Sequence, residues 1–227
     1  RLNPEIADYE AFQCAVIRRL DQFQALGCRM AVHALDDFRY APVSDAETAR
    51  LFARLFSGNP PGGNERMRLR SGLLRFLAVQ YASRGWTLQL HLGAQRRTST
   101  RLNRLAGPAG GYAAPGNPAD IPSLCRFLDD VEQTARLPRV ILYPLNPADN
   151  AALATLTGSY TADGVRGLVQ FGPAWWFNDH AAGIRAHLTT LSAHGLLSTF
   201  IGMTTDSRSL LSMVRHEYFR RVLCGWL

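Results

Sequence analysis

Lysine is missing from this chain of 227 residues, and all 25 of its basic residues are arginines. Against 18 acidic residues they give a formal net charge of +7, a balance that raises the question of nucleic-acid binding. The arginines are spread along the chain, however, and no dense basic run interleaves with aromatic residues. Because a positive balance alone is a weak signal, we expect no nucleic-acid partner.

Long apolar runs and paired cysteines are lacking as well. No stretch approaches the roughly 20 apolar residues that span a bilayer, and the first residues show no signal-peptide pattern. The cysteines at positions 14, 28, 125 and 224 are scattered without metal-finger spacing, which favours reduced thiols. We therefore expect a cytoplasmic protein with no membrane partner.

What the chain does contain is a regular alternation of short apolar segments with helical patterns. The apolar segments that predict strands are "CRMAVHAL", "WTLQLHLGA", "RVILYPL", "VRGLVQFG" and "STFIGMTT". Ser44 and Glu47 form a capping-box pattern at the start of a helix that lies between the first two of these segments. Continuous apolar strands alternating with helices are typical of an α/β fold with a parallel sheet. No glycine-rich phosphate loop follows the first strand, which argues against a dinucleotide-binding fold.

Polar and aromatic side chains collect where these predicted strands end. Because the carboxyl ends of parallel strands meet at one edge, where ligands of α/β proteins bind, we expect one site there. The residues are, in chain order, His33, His91, Asn146, Trp175, Trp176, Asn178, Asp179, Asp206 and Arg208.

Each of these residues also has a purely structural interpretation. His33 could be a buried, hydrogen-bonded histidine, and Trp175 with Trp176 could be core aromatics. Asp206 could be the N-cap of the last helix, although that leaves Arg208 unexplained. The charges of "RHEYFRR" could belong to a solvated helix with internal ion pairs.

The residue types at this edge fit the chemistry of a small anionic substrate. An imidazole and a carboxylate could bind a divalent metal, or could equally divide a proton transfer between base and acid. Arginines such as Arg96 suit a substrate carboxylate, which a guanidinium holds through two parallel hydrogen bonds. An indole face suits the apolar face of a sugar, so we infer a sugar acid.

Four segments closely resemble the signature segments of the uronate isomerase (glucuronate isomerase) family of the amidohydrolase superfamily. They are "HLGAQR", "LPRVILYPLNPADN", "QFGPAWWFNDH" and "GMTTDSRSLLSMVRHEYFRRVLC". The resemblance implies a (β/α)8 TIM-type barrel that interconverts D-glucuronate with D-fructuronate, and D-galacturonate with D-tagaturonate. In that reaction a proton moves between C2 and C1 through an enediol. The family carries a divalent metal, commonly zinc.

The resemblance also implies roles for individual residues. Asp206 and His91 would contact the metal, and Asp206, Arg208 and His33 would take part in catalysis. Trp175 and Trp176 would bind the hexuronate substrate, together with Arg208 and Arg96.

The chain departs from the superfamily pattern by lacking a His-x-His pair. If "TTDSR" ends strand eight, the visible strands are four to eight, so residues 1–227 would form a single incomplete TIM-barrel catalytic domain. The alternatives are a truncated, inactive remnant of the isomerase or, with less support, a metal-dependent amidohydrolase. An open set of barrel strands exposes unpaired edges, so we expect a homo-oligomer.

Overall fold

The computed structural model describes residues 6–207 and 209–227 of the chain. The helices are α1 (Tyr9–Ala25), α2 (Asp45–Ala53), α3 (Gly63–Ser83), α4 (Thr100–Ala106), α5 (Ile121–Thr134), α6 (Asn150–Thr157), α7 (Ala181–His194) and α8 (Val214–Trp226). The strands are β1 (Met30–Leu35), β2 (Thr87–Leu92), β3 (Ala94–Gln95), β4 (Ala114–Pro115), β5 (Arg139–Pro144) and β6 (Val169–Phe171). Strands and helices alternate along the chain, so the predicted α/β class is confirmed.

Four strands form a parallel sheet in the order β1-β2-β5-β6. In the β5–β6 pair, Val140 lies opposite Val169 and Leu142 opposite Phe171. All residues of β5 after Arg139 are buried, as expected of a strand covered on both faces. The two-residue strands β3 and β4 pair separately, in antiparallel register.

The fifth predicted strand, "STFIGMTT", is wrong. Leu197–Thr199 form a 3-10 turn, and within the described chain the residues that follow join no strand. A strand requires a ladder partner as well as apolar residues, and the neighbouring β6 is only three residues long. Phe200 and Met203 pack instead against a buried cluster of the second half of the chain.

Helix starts follow from local side-chain chemistry. Ser44 accepts a hydrogen bond from the backbone N–H of Glu47 at 3.2 Å, which confirms the predicted cap of α2. Asp8 caps α1 in the same manner through the N–H of Ala11 at 2.8 Å. None of the described helices is long and apolar enough to cross a membrane.

The chain divides into two compact units, here called the first and the second unit. The first comprises residues 1–31, 39–88 and 120–138, and the second comprises residues 32–38, 89–119 and 139–227. The first unit contains α1, α2, α3 and α5 around a core that includes Tyr9, Leu51, Phe52 and Leu69. The second contains most of the sheet and two buried clusters, one built on Trp175 and one on Leu188.

Candidate functional site

A cavity of about 910 Å³ lies within the second unit. Its wall comes from the residues after β2, from the loop around Tyr112, from the turn after β6, and from the segment that leads into α8. Its charged and aromatic lining includes Arg96, Arg97, Tyr112, Trp176, Asp206 and Arg215. Three of the residues predicted from the sequence, Arg96, Trp176 and Asp206, therefore share one cavity.

Asp206 projects from a segment without regular structure and is held by a tryptophan. The indole Nε1 of Trp176 donates a hydrogen bond to Asp206 Oδ2 at 3.3 Å. The alternative that Asp206 caps the last helix is wrong, because the next helical turn begins at Leu210 and its N-cap is Ser209. The carboxylate is thus left for the cavity.

Backbone strain is concentrated at the same cavity. Within the described chain, the non-glycine residues with positive φ are Arg97 (56°), Trp176 (51°) and Asp206 (48°). All three line the cavity. Such conformations are unfavourable for residues with a Cβ, most of all for a bulky one such as tryptophan. They persist where surrounding contacts enforce them, and they cluster at functional sites.

An aromatic stack connects the sheet to the cavity wall. The ring of His91 lies 4.0 Å from that of Trp175 and 5.0 Å from that of Tyr143, centroid to centroid. Trp175 in turn lies 5.1 Å from Trp176. Trp175 is only 2% exposed, and its buried indole N–H has no hydrogen-bond partner. Of the two predicted sugar-binding tryptophans, Trp176 lines the cavity and Trp175 supports it from behind.

The pKa of His91 is lowered to about 4. Burial is the main cause, Arg96 lowers the pKa further, and the negative charge of Asp206 opposes both. The imidazole is therefore neutral at pH 7, with a ring nitrogen able to accept a proton.

Arg96 is fixed by two neighbours within the second unit. Its Nε donates to Asp36 Oδ1 at 3.0 Å, and its guanidinium lies 4.9 Å from the ring centroid of Trp176. An arginine over an indole face gains cation–π attraction. Together they form a positively charged, flat section of the cavity wall.

Arg215 was not predicted from the sequence, whereas Asp179 was expected at this edge of the sheet. Arg215 lines the cavity and forms an ion pair with the carboxylate of Asp179, whose side chain is 1% exposed. The solvated-helix interpretation does describe Arg221, which is 78% exposed and pairs with Glu217 four residues earlier. The sequence signal that could have found Arg215 was its position in the first turn of the helix that follows Asp206, just as Asp179 follows the tryptophan pair.

The other two residues with a predicted role in catalysis are His33 and Arg208. His33 lies on β1, where burial lowers its pKa, and it is not among the described residues that line the cavity. Arg208 lies outside the described residues. Their predicted roles stay predictions.

The described residues do not by themselves fit a zinc site. A protein zinc site takes three or four protein ligands, and the described part of the chain contains no group of three His, Cys, Asp or Glu side chains able to hold an ion. His91 and Asp206 would supply two donors at most.

A parallel α/β sheet with a strained, arginine-lined cavity defines a small-molecule site suited to an anionic ligand. Residues 2–227 match a family model described as glucuronate isomerase. A uronate isomerase of Salmonella arizonae is 46% identical over 223 residues, which are 98% of this chain and 47% of that protein. The chain therefore belongs to the glucuronate isomerase family, and the resemblance read from its motifs is confirmed.

Solved structures agree with this assignment. A uronate isomerase from Thermotoga maritima matches with a TM-score of 0.88 at 28% identity, covering 97% of this chain and 47% of the other. A glucuronate isomerase from Caulobacter crescentus has a TM-score of 0.87 at 24% identity, covering 98% and 45%, and so supports the fold alone. The chain spans about half the length of the relatives it matches.

Proposed function

We propose that the whole protein is an aldose–ketose isomerase that interconverts D-glucuronate with D-fructuronate, and D-galacturonate with D-tagaturonate. This chain would contribute one wall of its active site. The observation that carries the proposal is the meeting of guanidinium groups, an indole and a carboxylate at one cavity. These groups suit, respectively, the carboxylate, the apolar face and the exchangeable proton of a hexuronate.

The reaction requires a proton to leave C2 of the open-chain aldose and a proton to reach C1. The intermediate is an enediol with hydroxyl groups on both carbons, formed when C2 loses a proton and the carbonyl oxygen on C1 gains one. It becomes the ketose when the hydroxyl on C2 loses its proton to form the new carbonyl and C1 gains a proton. We assign proton transfer to the Asp206 carboxylate. Because Trp176 Nε1 holds Oδ2, Oδ1 is the oxygen directed to this task. Arg96 and Trp176 would position the sugar acid.

The remaining roles are supported only by the family assignment. His91, neutral at pH 7, would be a ligand of a divalent metal, zinc by family resemblance, together with Asp206. The other ligands would come from outside the described residues. Arg208 and His33 keep their proposed places in catalysis, and Trp175 acts by supporting Trp176.

We further propose that the four-stranded sheet is part of a (β/α)8 barrel and that residues 1–227 belong to one catalytic domain. Homo-oligomeric assembly and a cytoplasmic location stay predictions. For residues 1–227 alone the alternative of an inactive remnant is favoured by the two-donor metal set, and we expect negligible turnover by the isolated chain with or without zinc.

The test is to assay the whole protein for ketose formation from D-glucuronate, with the fructuronate identified by NMR. Solvent-deuterium incorporation at C1 would show that a proton is transferred through an exchangeable group. A protein that binds glucuronate but forms no ketose over hours would contradict the proposed activity. Hydrolysis of an amide or ester substrate without isomerisation would favour the amidohydrolase alternative.

A further inference from the structure

We propose that Arg215, positioned by the buried carboxylate of Asp179, binds the carboxylate of the substrate and so determines the preference for sugar acids over neutral sugars. This inference rests on the proposed function, since it assigns a residue to the recognition of that substrate class. It gives a role to an ion pair that the proton-transfer chemistry does not use.

Asp179 is a buried aspartate. Its side chain is 1% exposed, and both carboxylate oxygens are buried without a conventional hydrogen-bond partner. A buried carboxylate is unfavourable unless an opposite charge compensates it. The guanidinium of Arg215 supplies that charge through Nη2.

Arg215 contacts Asp179 and also faces the cavity. Its side chain is 37% exposed, and it lines the cavity wall. A guanidinium has five N–H donors in a rigid fork, so a contact at one nitrogen leaves donors free to face a ligand. Fixing the fork beforehand lowers the entropic cost of gripping a second carboxylate.

A further hydrogen bond holds the backbone next to this ion pair. The N–H of Ala181, two residues after Asp179, donates to the hydroxyl of Tyr218 at 2.8 Å. Tyr218 lies one helical turn after Arg215 on α8. This bond fixes the start of α7 against α8, so the turn that carries Asp179, directly before α7, and the helix that carries Arg215 are joined by a second contact.

The charge balance of the cavity supports an anionic ligand. Arg96, Arg97 and Arg215 line it together with the single described lining carboxylate, Asp206. Arg96 is already engaged by Asp36 at its Nε and by Trp176 at its face. Arg215 differs from Arg96 because its partner, Asp179, is buried. Asp179 therefore occupies the buried side of the Arg215 guanidinium and leaves the side that faces the cavity to a ligand.

The experiment measures binding and turnover of D-glucuronate, and binding of neutral D-glucose, in the whole protein. The test variant is the double change Asp179→Asn with Arg215→Met, which removes both charges and leaves no buried carboxylate unpaired. Charge-assisted hydrogen bonds typically contribute enough for a tenfold to hundredfold change in affinity. We expect glucuronate to bind about tenfold to a hundredfold more weakly, with glucose binding unchanged and KM rising more than kcat falls.

Two further variants separate recognition from folding. Arg221→Met makes the same arginine substitution on the same helix, at a residue that is not among the described lining residues of the cavity, and should leave both affinities unaltered. In Arg215→Ala, millimolar guanidinium should restore glucuronate binding, whereas methylammonium should not, because only the planar fork fits both carboxylates. For Asp179→Asn alone, the same guanidinium should give no recovery, since the arginine is present but misplaced.

The outcomes are decisive for the inference. Equal losses of glucuronate and glucose affinity, or wild-type glucuronate binding by the double variant, would overturn it. If the wild-type protein binds glucuronate without isomerising it, the proposed function fails while the titrations still judge the role of Arg215. If the wild-type protein prefers glucose to glucuronate, the role of Arg215 is excluded even where isomerase activity is found.

Discussion

The two units use the same residue types, arginine and aspartate, in opposite ways. In the first unit, Arg75 pairs with Asp45 and lies 3.8 Å from Asp130, and Asp130 also accepts from the hydroxyl of Tyr40. All three charged residues lie on regular helices. In the second unit, the carboxylate of Asp179 depends on Arg215, and Asp206 sits on a strained backbone.

The difference lies in how completely polar groups are satisfied. Of the buried side-chain atoms without a hydrogen-bond partner in the described chain, one belongs to the first unit and five to the second. Within the described part of the chain, non-glycine residues with a positive φ also occur only in the second unit. Unsatisfied groups and strain are costly and are retained where function needs them. The comparison therefore separates a structural unit from a functional one.

The largest effect that would sharpen this comparison is expected from Asp206→Asn. An amide keeps the hydrogen bond from Trp176 but cannot accept the C2 proton. General acid–base catalysis typically contributes about 10²- to 10⁴-fold, so kcat for fructuronate formation by the whole protein should fall by that order. Circular dichroism should show an unchanged fold.

Asp130→Asn is the matched control for this change, because it removes an aspartate of the first unit. It should reduce stability, because it removes the negative charge that faces Arg75 and replaces a charged acceptor of the Tyr40 hydroxyl by a neutral one, and leave kcat as it was. Equal activity losses in the two variants would break the division between the units.

Breaking the buried ion pair gives the next largest effect. Arg215→Met alone should lower the free energy of unfolding by about 3–5 kcal/mol, because it leaves the buried carboxylate of Asp179 unpaired. Asp179→Asn alone should lower it by less, because Arg215 is 37% exposed and can still be solvated. The double variant should recover most of the loss caused by Arg215→Met. Denaturant unfolding of the three proteins measures it.

The corresponding change in the first unit is Asp45→Asn, since Asp45 pairs with Arg75 but is 81% exposed. An exposed pair contributes about 0–1 kcal/mol, so little stability should be lost. A loss as large as that of Arg215→Met would mean that burial does not distinguish the pairs.

Acidification should affect the second unit first, because the three histidines whose pKa is lowered by burial, His33, His91 and His187, lie there. Burial lowers the pKa of His187 to about 4, against the opposing effect of its bond to the carbonyl oxygen of Gly172. A folded-state pKa below 6.5 means that the neutral form is stabilised. That stability is complete above pH 6.5 and is lost as the pH falls towards 4.

The first unit responds at lower pH. Hydrogen bonding to Arg68 lowers the pKa of Glu47 below 4.5, and the backbone N–H of Ser123 lowers that of Asp120 below 3.8. Their contributions are present above those values and are lost only below them. Hydrogen exchange between pH 7 and 4.5 should therefore show earlier loss of protection in the second unit. Replacing His187 with Leu should reduce the difference between the pH values at which the two units lose protection. Loss of protection in the first unit before the second would contradict the prediction.

Much of the fold could be predicted because its causes are local. All four strands of the parallel sheet lie in the predicted apolar segments, β5 as a continuous buried run and β2 as an alternation of buried and half-buried residues, and the cap at Ser44 depends only on Ser44 and Glu47. The fifth segment, which directly precedes Asp206, is also largely apolar, but a strand also needs a partner in space. Composition does not reveal whether that partner is present.

The site was less predictable because it depends on contacts distant along the chain. Trp175 and Trp176 are adjacent and identical in type, yet one is buried and the other lines the cavity, since Trp176 has a φ of 51°. Arg215 and Arg221 lie on one helix, and only the burial of Asp179 distinguishes the first from the second. No periodicity in the sequence contains that information.

The smallest expected effect concerns the edge of the sheet. β1 ends the strand order, and Val32 on it is 54% exposed. An exposed apolar edge strand favours pairing with another chain, so residues 1–227 should self-associate. Covering half a valine side chain contributes about 1 kcal/mol, and Val32→Lys should weaken dimerisation several-fold in sedimentation equilibrium. Leu105→Lys, on α4 and 72% exposed, adds the same charge away from the sheet and should have no such effect; equal weakening by both would mean that net charge, and not the open edge of β1, controls association.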